Sequence, residues 1–244
     1  MAKHVCNHCG AEVGLLQQIK MRDGNYICRK CAGKTHPLFV PANEKTFSMF
    51  QEHLKQLETG KVLYEKLFVP RKKSADKAMQ LDRLSAGIEV AKDIGLLAVV
   101  RKRGGFFIWG GTPYYMVFRL GDLFRYEYSS ERSKSADGKT QVKHYIQFAF
   151  WDTPGCDEFR VNITNERTYT LAAKYFNQCF GIQRDVRSVG DMFRGVKTLM
   201  SKDADNKAKE GAVEELTQTA KIQLYGDRTE WIAKANAAIQ SITG

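Results

Sequence analysis

A chain of 244 residues, 43% of them hydrophobic, is long enough for one sizeable core with a small appendage, or for two modest domains. Its 38 lysines and arginines against 27 acids leave a net charge of +11, which points to nucleic acid or an anionic membrane surface unless the lysines serve only solubility. The longest aliphatic stretch, residues 94–100, is too short to cross a bilayer, and no charged-then-apolar leader precedes the first cysteine, so a cytoplasmic protein with reduced thiols is expected.

Cys6-Asn7-His8-Cys9 and Cys28-Arg29-Lys30-Cys31 form two C-x2-C pairs separated by eighteen residues. Two intervening residues let both sulfurs of a pair turn toward one ion. Two such knuckles facing each other supply the four thiolates that tetrahedral Zn²⁺ prefers. The alternative, two disulfides, conflicts with a reducing compartment. Between the pairs, Asp23-Gly24 is a hairpin signal joining residues 17–21 to 25–27. Residues 1–34 are too few to bury a self-sufficient core, so one structural zinc ion on Cys6, Cys9, Cys28 and Cys31 is expected to supply this module's folding energy. His4 and His8 sit beside the knuckles, and either can replace a thiolate; exposed imidazoles next to the site are the simpler expectation. A four-thiolate zinc centre carries a formal charge of about minus two, which Lys3, Arg29, Lys30 and Lys34 offset.

Residues 35–80 read as a connector. A helix over 44–68 places Phe47, Phe50, Leu54 and Leu57 on one face and stops before Pro70, because proline disfavours helix in the residue before it. Thr59-Gly60 weakens its middle, and His53 lies off the stripe as a solvated residue. Residues 71–80, opening with Arg71-Lys72-Lys73, read as a surface linker.

From about 88 to 163 the apolar period changes to two, within a domain spanning 81–181. Strand signals are residues 94–101, the alternation of Tyr114, Met116, Phe118 and Leu120, then Phe124, Tyr126 and Tyr128, then Val142, His144, Ile146, Phe148 and Phe150, and finally Phe159, Val161 and Ile163. Gly104-Gly105 turns the first of these into residues 106–109, Pro154-Gly155 turns the last, and the polar run 129–141 reads as a long loop. A helix over 166–180, capped by Asn165 or Thr164 and stopped by Gly181, presents Leu171, Tyr175, Phe176, Cys179 and Phe180. Six or so antiparallel strands followed by one amphipathic helix is the order of a pleckstrin-homology-like barrel, in which the helix plugs an open end. The class is α+β. Residues 182–244 read as helical, with Val189, Phe193, Val196 and Met200 on one helix, a flexible joint over 201–211, and a last helix opened by Asp227-Arg228-Thr229-Glu230 that shows Trp231, Ala235, Ala238 and Ile242 on one side.

The ribbon residues Cys6-Asn7-His8-Cys9-Gly10, Gly14-Leu15-Leu16, Lys20, Asp23-Gly24, Tyr26-Ile27-Cys28 and Lys30-Cys31 carry a resemblance. The chain resembles bacterial proteins with an N-terminal four-cysteine zinc-ribbon domain of unknown function ahead of a pleckstrin-homology-like sheet. Residues 67–70 are similar to that family's segment between ribbon and sheet, and residues 118–127 to its sheet pattern. The resemblance implies zinc on Cys6, Cys9, Cys28 and Cys31 and no established activity.

Four cysteine ligands close the metal shell, whereas catalytic zinc keeps one position for water. The chain lacks G-x-x-x-x-G-K-[ST], H-E-x-x-H and G-x-S-x-G. Asp157 and Glu158 are adjacent and would point to opposite faces of a strand, His144 falls on an apolar face, and Cys156 and Cys179 read as buried thiols. The expectation is therefore a non-enzymatic zinc-binding adaptor for a protein partner not identified by the chain. Two alternatives rest on anion-binding candidates: nucleic acid through Arg29, Lys30, Arg71, Lys72 and Lys73, and a peripheral anionic membrane through Arg101, Lys102 and Arg103.

Overall fold

The computed structural model describes residues 4–39, 42–76, 79, 81–85, 87–103, 111–134, 140–180, 222–223 and 228–243. Expectations for Gly104-Gly105 and residues 106–109, for the middle of the polar run 129–141, and for the helix and joint over 181–211 lie outside them.

The N-terminal ribbon is built from β1 (His4–Val5), β2 (Glu12–Val13), β3 (Gln18–Lys20), β4 (Tyr26–Cys28) and the short α1 (Arg29–Ala32). β1 pairs with β2, and β3 with β4, in the register Ile19 to Ile27. The Asp23-Gly24 turn closes the second pair with Gly24 at φ +84°, a conformation that glycine adopts without steric cost.

α2 (Phe47–Leu63) opens on Thr46, whose side chain accepts from the Met49 N–H at 3.2 Å. The expected stop before Pro70 does not occur. One π turn over residues 64–68, closed by the Val69 N–H on the Tyr64 carbonyl, widens the helix, and the chain continues as α3 (Val69–Lys73) with the proline in its first turn. Nor does α2 split at Gly60. A Cβ there would lie 2.3 Å from the Tyr115 carbonyl oxygen, so glycine is what lets the helix lie against the sheet.

β5 (Asp82–Ser85), β6 (Ile88–Ala91), β7 (Leu96–Arg103) and β8 (Thr112–Arg119) form one antiparallel meander. β6 is buried on both faces because the far side is covered as well: Leu63, Tyr64, Leu67 and Phe68 pack there with Ala91, Leu96 and Ala98. β9 (Leu123–Lys134), β10 (Thr140–Phe150) and β11 (Glu158–Ile163) form a second sheet, to which β12 (Ile222–Gln223) adds beside β9. The long loop expected over 129–141 is mostly paired strand, running to Thr140 opposite Lys134. Polar side chains do not prevent pairing where both faces of a hairpin meet water.

The rings of the two sheets meet in the middle. Phe118 of β8 stacks on Phe150 of β10 at 4.1 Å and faces Phe159 of β11 at 5.4 Å. α4 (Glu166–Cys179), capped by the Asn165 side chain, closes one end with Phe176 against Phe148 and Tyr126. Its buried face is Tyr169, Ala172, Ala173 and Phe176, while Leu171, expected inside, is 59% exposed. α5 (Thr229–Thr243) buries Ala235 and Ala238, as expected.

The architecture is α+β with antiparallel sheets, and among the described residues neither large sheet closes into a barrel. The expected pleckstrin-homology-like barrel is not confirmed, and two contacts lie at the gaps between the sheets. On the outer edge of β9, β12 pairs at two positions, with Ile222 opposite Tyr126 and Gln223 opposite Arg125. At the other gap α4 packs on both β5 and β11, with the Tyr175 hydroxyl donating to Asp82 at 2.7 Å. No helix among the described residues is long and apolar enough to cross a membrane.

Candidate metal centre

The two knuckles are positioned by backbone bonds before any ion is considered. In the first, the Gly10 N–H donates to the Cys6 carbonyl and the Cys6 N–H to Ala11. Asn7 then ties this knuckle to β4, its N–H donating to the Tyr26 carbonyl and its Oδ1 accepting from the Tyr26 N–H at 2.9 Å. In the second, Cys28 caps α1, its sulfur accepting from the Cys31 N–H at 3.3 Å. The Cys28 N–H donates in turn to the Cys6 sulfur at 3.2 Å.

These bonds gather the sulfurs of Cys6, Cys9, Cys28 and Cys31 within 4.8 Å of one another, and all four cysteines are free thiols. Tetrahedral zinc at about 2.3 Å from each sulfur requires sulfur–sulfur separations of about 3.8 Å. The Cys9–Cys28 separation is 3.9 Å, close to that value and far from a disulfide bond of about 2.05 Å. The donor set therefore fits a tetrahedral ion of zinc's chemistry. Cys6, Cys28 and Cys31 are buried and Cys9 is exposed.

Electrostatics agree with a site that wants a cation. Desolvation works to raise the Cys6 thiol, but N–H groups of Cys9, Cys28 and His8 outweigh it and draw it down to about 6. Cys31 goes the other way, raised by desolvation and by the sulfurs around it. Without a cation the cluster ionises unevenly; a dication favours the thiolate at every position. His4 and His8 stay outside this set. His4 stacks on Tyr26 at 3.9 Å, and His8 meets the Phe50 ring edge-on at 5.3 Å.

The basic candidates separate into two groups. Arg29 and Lys30 are exposed on α1. Arg103 donates to the Ala32 carbonyl at 3.1 Å and so reaches the same end of the ribbon; Lys102 is exposed and Arg101 half-buried. Arg71 and Lys72 are engaged elsewhere. Arg71 is buried, clamps Asp93 with contacts down to 2.6 Å and donates to the Leu67 carbonyl, while Lys72 pairs with Glu89 at 2.8 Å and with the Tyr64 hydroxyl. Lys73 ends α3 exposed. The segment expected as a surface linker is thus in part a packed helix.

Sequence reasoning missed a buried polar relay. His53, expected in solvent, is 0% exposed and stacks on Phe39 at 4.3 Å. Its Nε2 accepts from the His36 N–H at 3.1 Å, and its Nδ1 pairs with Gln56 at 2.8 Å. Gln56 in turn exchanges two hydrogen bonds with the Cys156 backbone. Burial holds His53 down to about 4 and His36 to about 3, so both rings are neutral. The signal was present: positions 50, 53, 54 and 57 follow the i, i+3, i+4, i+7 spacing of a helix's buried face. Cys156 is buried, its thiol pushed up to about 12, whereas Cys179, expected buried, is only half-buried, its thiol also raised by burial. His144 is half-buried and bonded to the Tyr128 hydroxyl at 2.6 Å.

Residues 4–53 match DUF4428, a domain of unknown function. With the cysteine cluster, that match fits an N-terminal zinc-ribbon-like domain. Its span ends inside α2, the helix that carries His53 at its limit. No curated protein and no solved structure matches the chain.

Proposed function

We propose that the chain is a non-enzymatic adaptor in which one structural zinc ion staples the ribbon and the assembled body recognises a protein partner. The observation that carries this reading is the four-sulfur cluster, which fills every tetrahedral position and leaves none for water or substrate. Two further features support it. The ribbon is bonded to the first sheet through Arg103 on Ala32 and Tyr114 on Gly33, and the segment that follows it to α2 through His36 on His53, and so presents a fixed surface. A four-strand meander, three further strands and a closing helix also follow the pleckstrin-homology order, an architecture that hosts recognition sites.

Metal analysis of purified protein, with cobalt substitution, tests the first half. One ion per chain and thiolate-to-cobalt absorption are expected; a metal-free protein that keeps the ribbon fold overturns it. The second half is tested by crosslinking in nuclease-treated extract, comparing the zinc-loaded chain with Cys6→Ser. Turnover in a hydrolase and transferase panel that one polar substitution abolishes would refute it.

A second reading is nucleic-acid binding, favoured by exposed Arg29 and Lys30 on the end of the ribbon that Arg103 also reaches. It requires affinity for DNA or RNA that falls steeply with salt, and loses its basis if no complex forms at low salt. Anionic-lipid attachment through Arg101, Lys102 and Arg103 has less support, because Arg103 is bonded to the ribbon and Arg101 is half-buried.

A further inference from the structure

Between the ribbon, α2 and β8 lies an open cleft of about 310 Å³ that no function above uses. Leu54 and Leu57 of α2 and Pro113 of β8 supply apolar surface. Its aromatic wall is held in place: the Tyr114 hydroxyl donates to the Gly33 carbonyl at 2.9 Å, and the Tyr115 ring stacks on Tyr64 at 4.2 Å. Lys34 of the ribbon and Lys61 of α2 line it against a single acid, Glu58. Lys34 has no ion pair among the described residues, and Lys61 reaches only Glu65, at 4.0 Å and with both side chains more than half exposed, a contact of little energetic weight.

We infer that this cleft takes a short acidic segment of a partner protein, one apolar side chain lying on Leu54, Leu57 and Pro113 and a flanking carboxylate facing Lys34 and Lys61. This rests on the adaptor reading and assigns its docking surface. Three features select the occupant. The volume sits at the lower end of the roughly 300–1,000 Å³ of small-molecule pockets, and the open side cannot enclose such a ligand, whereas a peptide continues past both ends. The lining carries one net positive charge from two lysines and one glutamate, so an acid next to the anchor is favoured and a base is not. The Tyr115 ring is already stacked on Tyr64 and the Arg103 guanidinium lies over the Tyr114 ring at 5.9 Å, which leaves both poorly placed to stack on splayed bases.

A random dodecapeptide phage library selected on the zinc-loaded full chain tests the assignment. Enriched peptides should share an apolar residue next to aspartate or glutamate. Their affinity should fall about tenfold for Lys61→Glu, an exposed position at which circular dichroism and zinc content should be unchanged, and for exposed Lys34→Glu, assayed with zinc in excess because Lys34 is also expected to offset the charge of the zinc centre. Selection on the double variant should instead return basic flanks. The assignment is overturned if no peptide is enriched, if enriched peptides lack an acidic bias, or if they bind the double variant as tightly as the unmodified chain. A cellular protein crosslinked equally to both forms would refute the cleft and leave the adaptor reading standing; one lost from the double variant supports both.

Discussion

In the ribbon, the buried apolar residues are Cys6, Val13, Met21, Ile27, Cys28 and Cys31, half of them candidate metal ligands. In the sheet pair they are rings and branched chains: Phe118, Tyr126, Ile146, Phe148, Phe159, Val161 and Phe176, stacked or tilted against one another. The sheets can be held by hydrophobic burial of the ordinary kind. The ribbon cannot bury enough for that, and a metal–thiolate centre is the natural substitute. The two regions nonetheless share one continuous core, which runs from the cysteines through Phe39 and Phe50 to the sheets. A small module can thus depend on its ion for folding and on its neighbour for orientation.

Metal removal is the largest way to break this comparison. Chelation withdraws binding energy on the order of 10–16 kcal/mol from the ribbon, so the amides of β1–β4 should lose hydrogen-exchange protection entirely. The sheets lose the two hydrogen bonds that Arg103 and Tyr114 make to the ribbon, at about 1 kcal/mol each, and the ribbon's edge of the shared core, but keep their own stacked rings. Strands β9–β11 should therefore stay protected; their collapse on chelation would show that the sheets are not self-sufficient. Next in size is Phe148→Ala, which empties the centre of the sheet core and should cost about 3–5 kcal/mol by urea unfolding, with zinc affinity unchanged.

Acidification sharpens the comparison at the seam. His36 and His53 are held as neutral rings, with folded values of about 3 and about 4 against an ordinary 6.5. The unfolded chain therefore takes up protons first. Their effect on stability is absent above pH 6.5 and grows as pH falls toward 4, at roughly 1.4 kcal/mol per histidine per unit. The urea midpoint of His53→Gln should depend less steeply on pH over that window than the unmodified chain's; parallel slopes would disprove the burial account. Smallest are the helix caps. Thr46→Ala and Asn165→Ala should each cost about 1 kcal/mol, the first loosening β3–β4 exchange because α2 borders the ribbon, the second leaving it untouched.

Much of the candidate site was legible, because ligand spacing is local. Two residues between cysteines and a glycine turn between the pairs determine a knuckle and a hairpin whatever the rest of the chain does. Strand alternation over 142–150 and 159–163 was legible for the same reason, and so was Asn165 as a cap. The errors share a different cause. His53, Gly60, Arg71 and Leu171 were read from their chemical type, yet the fate of each depends on what crosses it in space. Phe39 covers His53, the Tyr115 carbonyl approaches Gly60, Asp93 meets Arg71, and Leu171 stays exposed among the described residues.

The sequence by itself determined a four-sulfur ribbon, a helix after it and an antiparallel β region closed by a helix, since each follows from spacings shorter than a few turns of chain. Only the tertiary structure decided that β12 pairs beside β9 and α4 packs on both β5 and β11, that two histidines are sealed at the seam, and that Lys34 and Lys61 border one cleft. Those outcomes bring together residues far apart along the chain, and local periodicity carries no information about which distant segment will cover a given face.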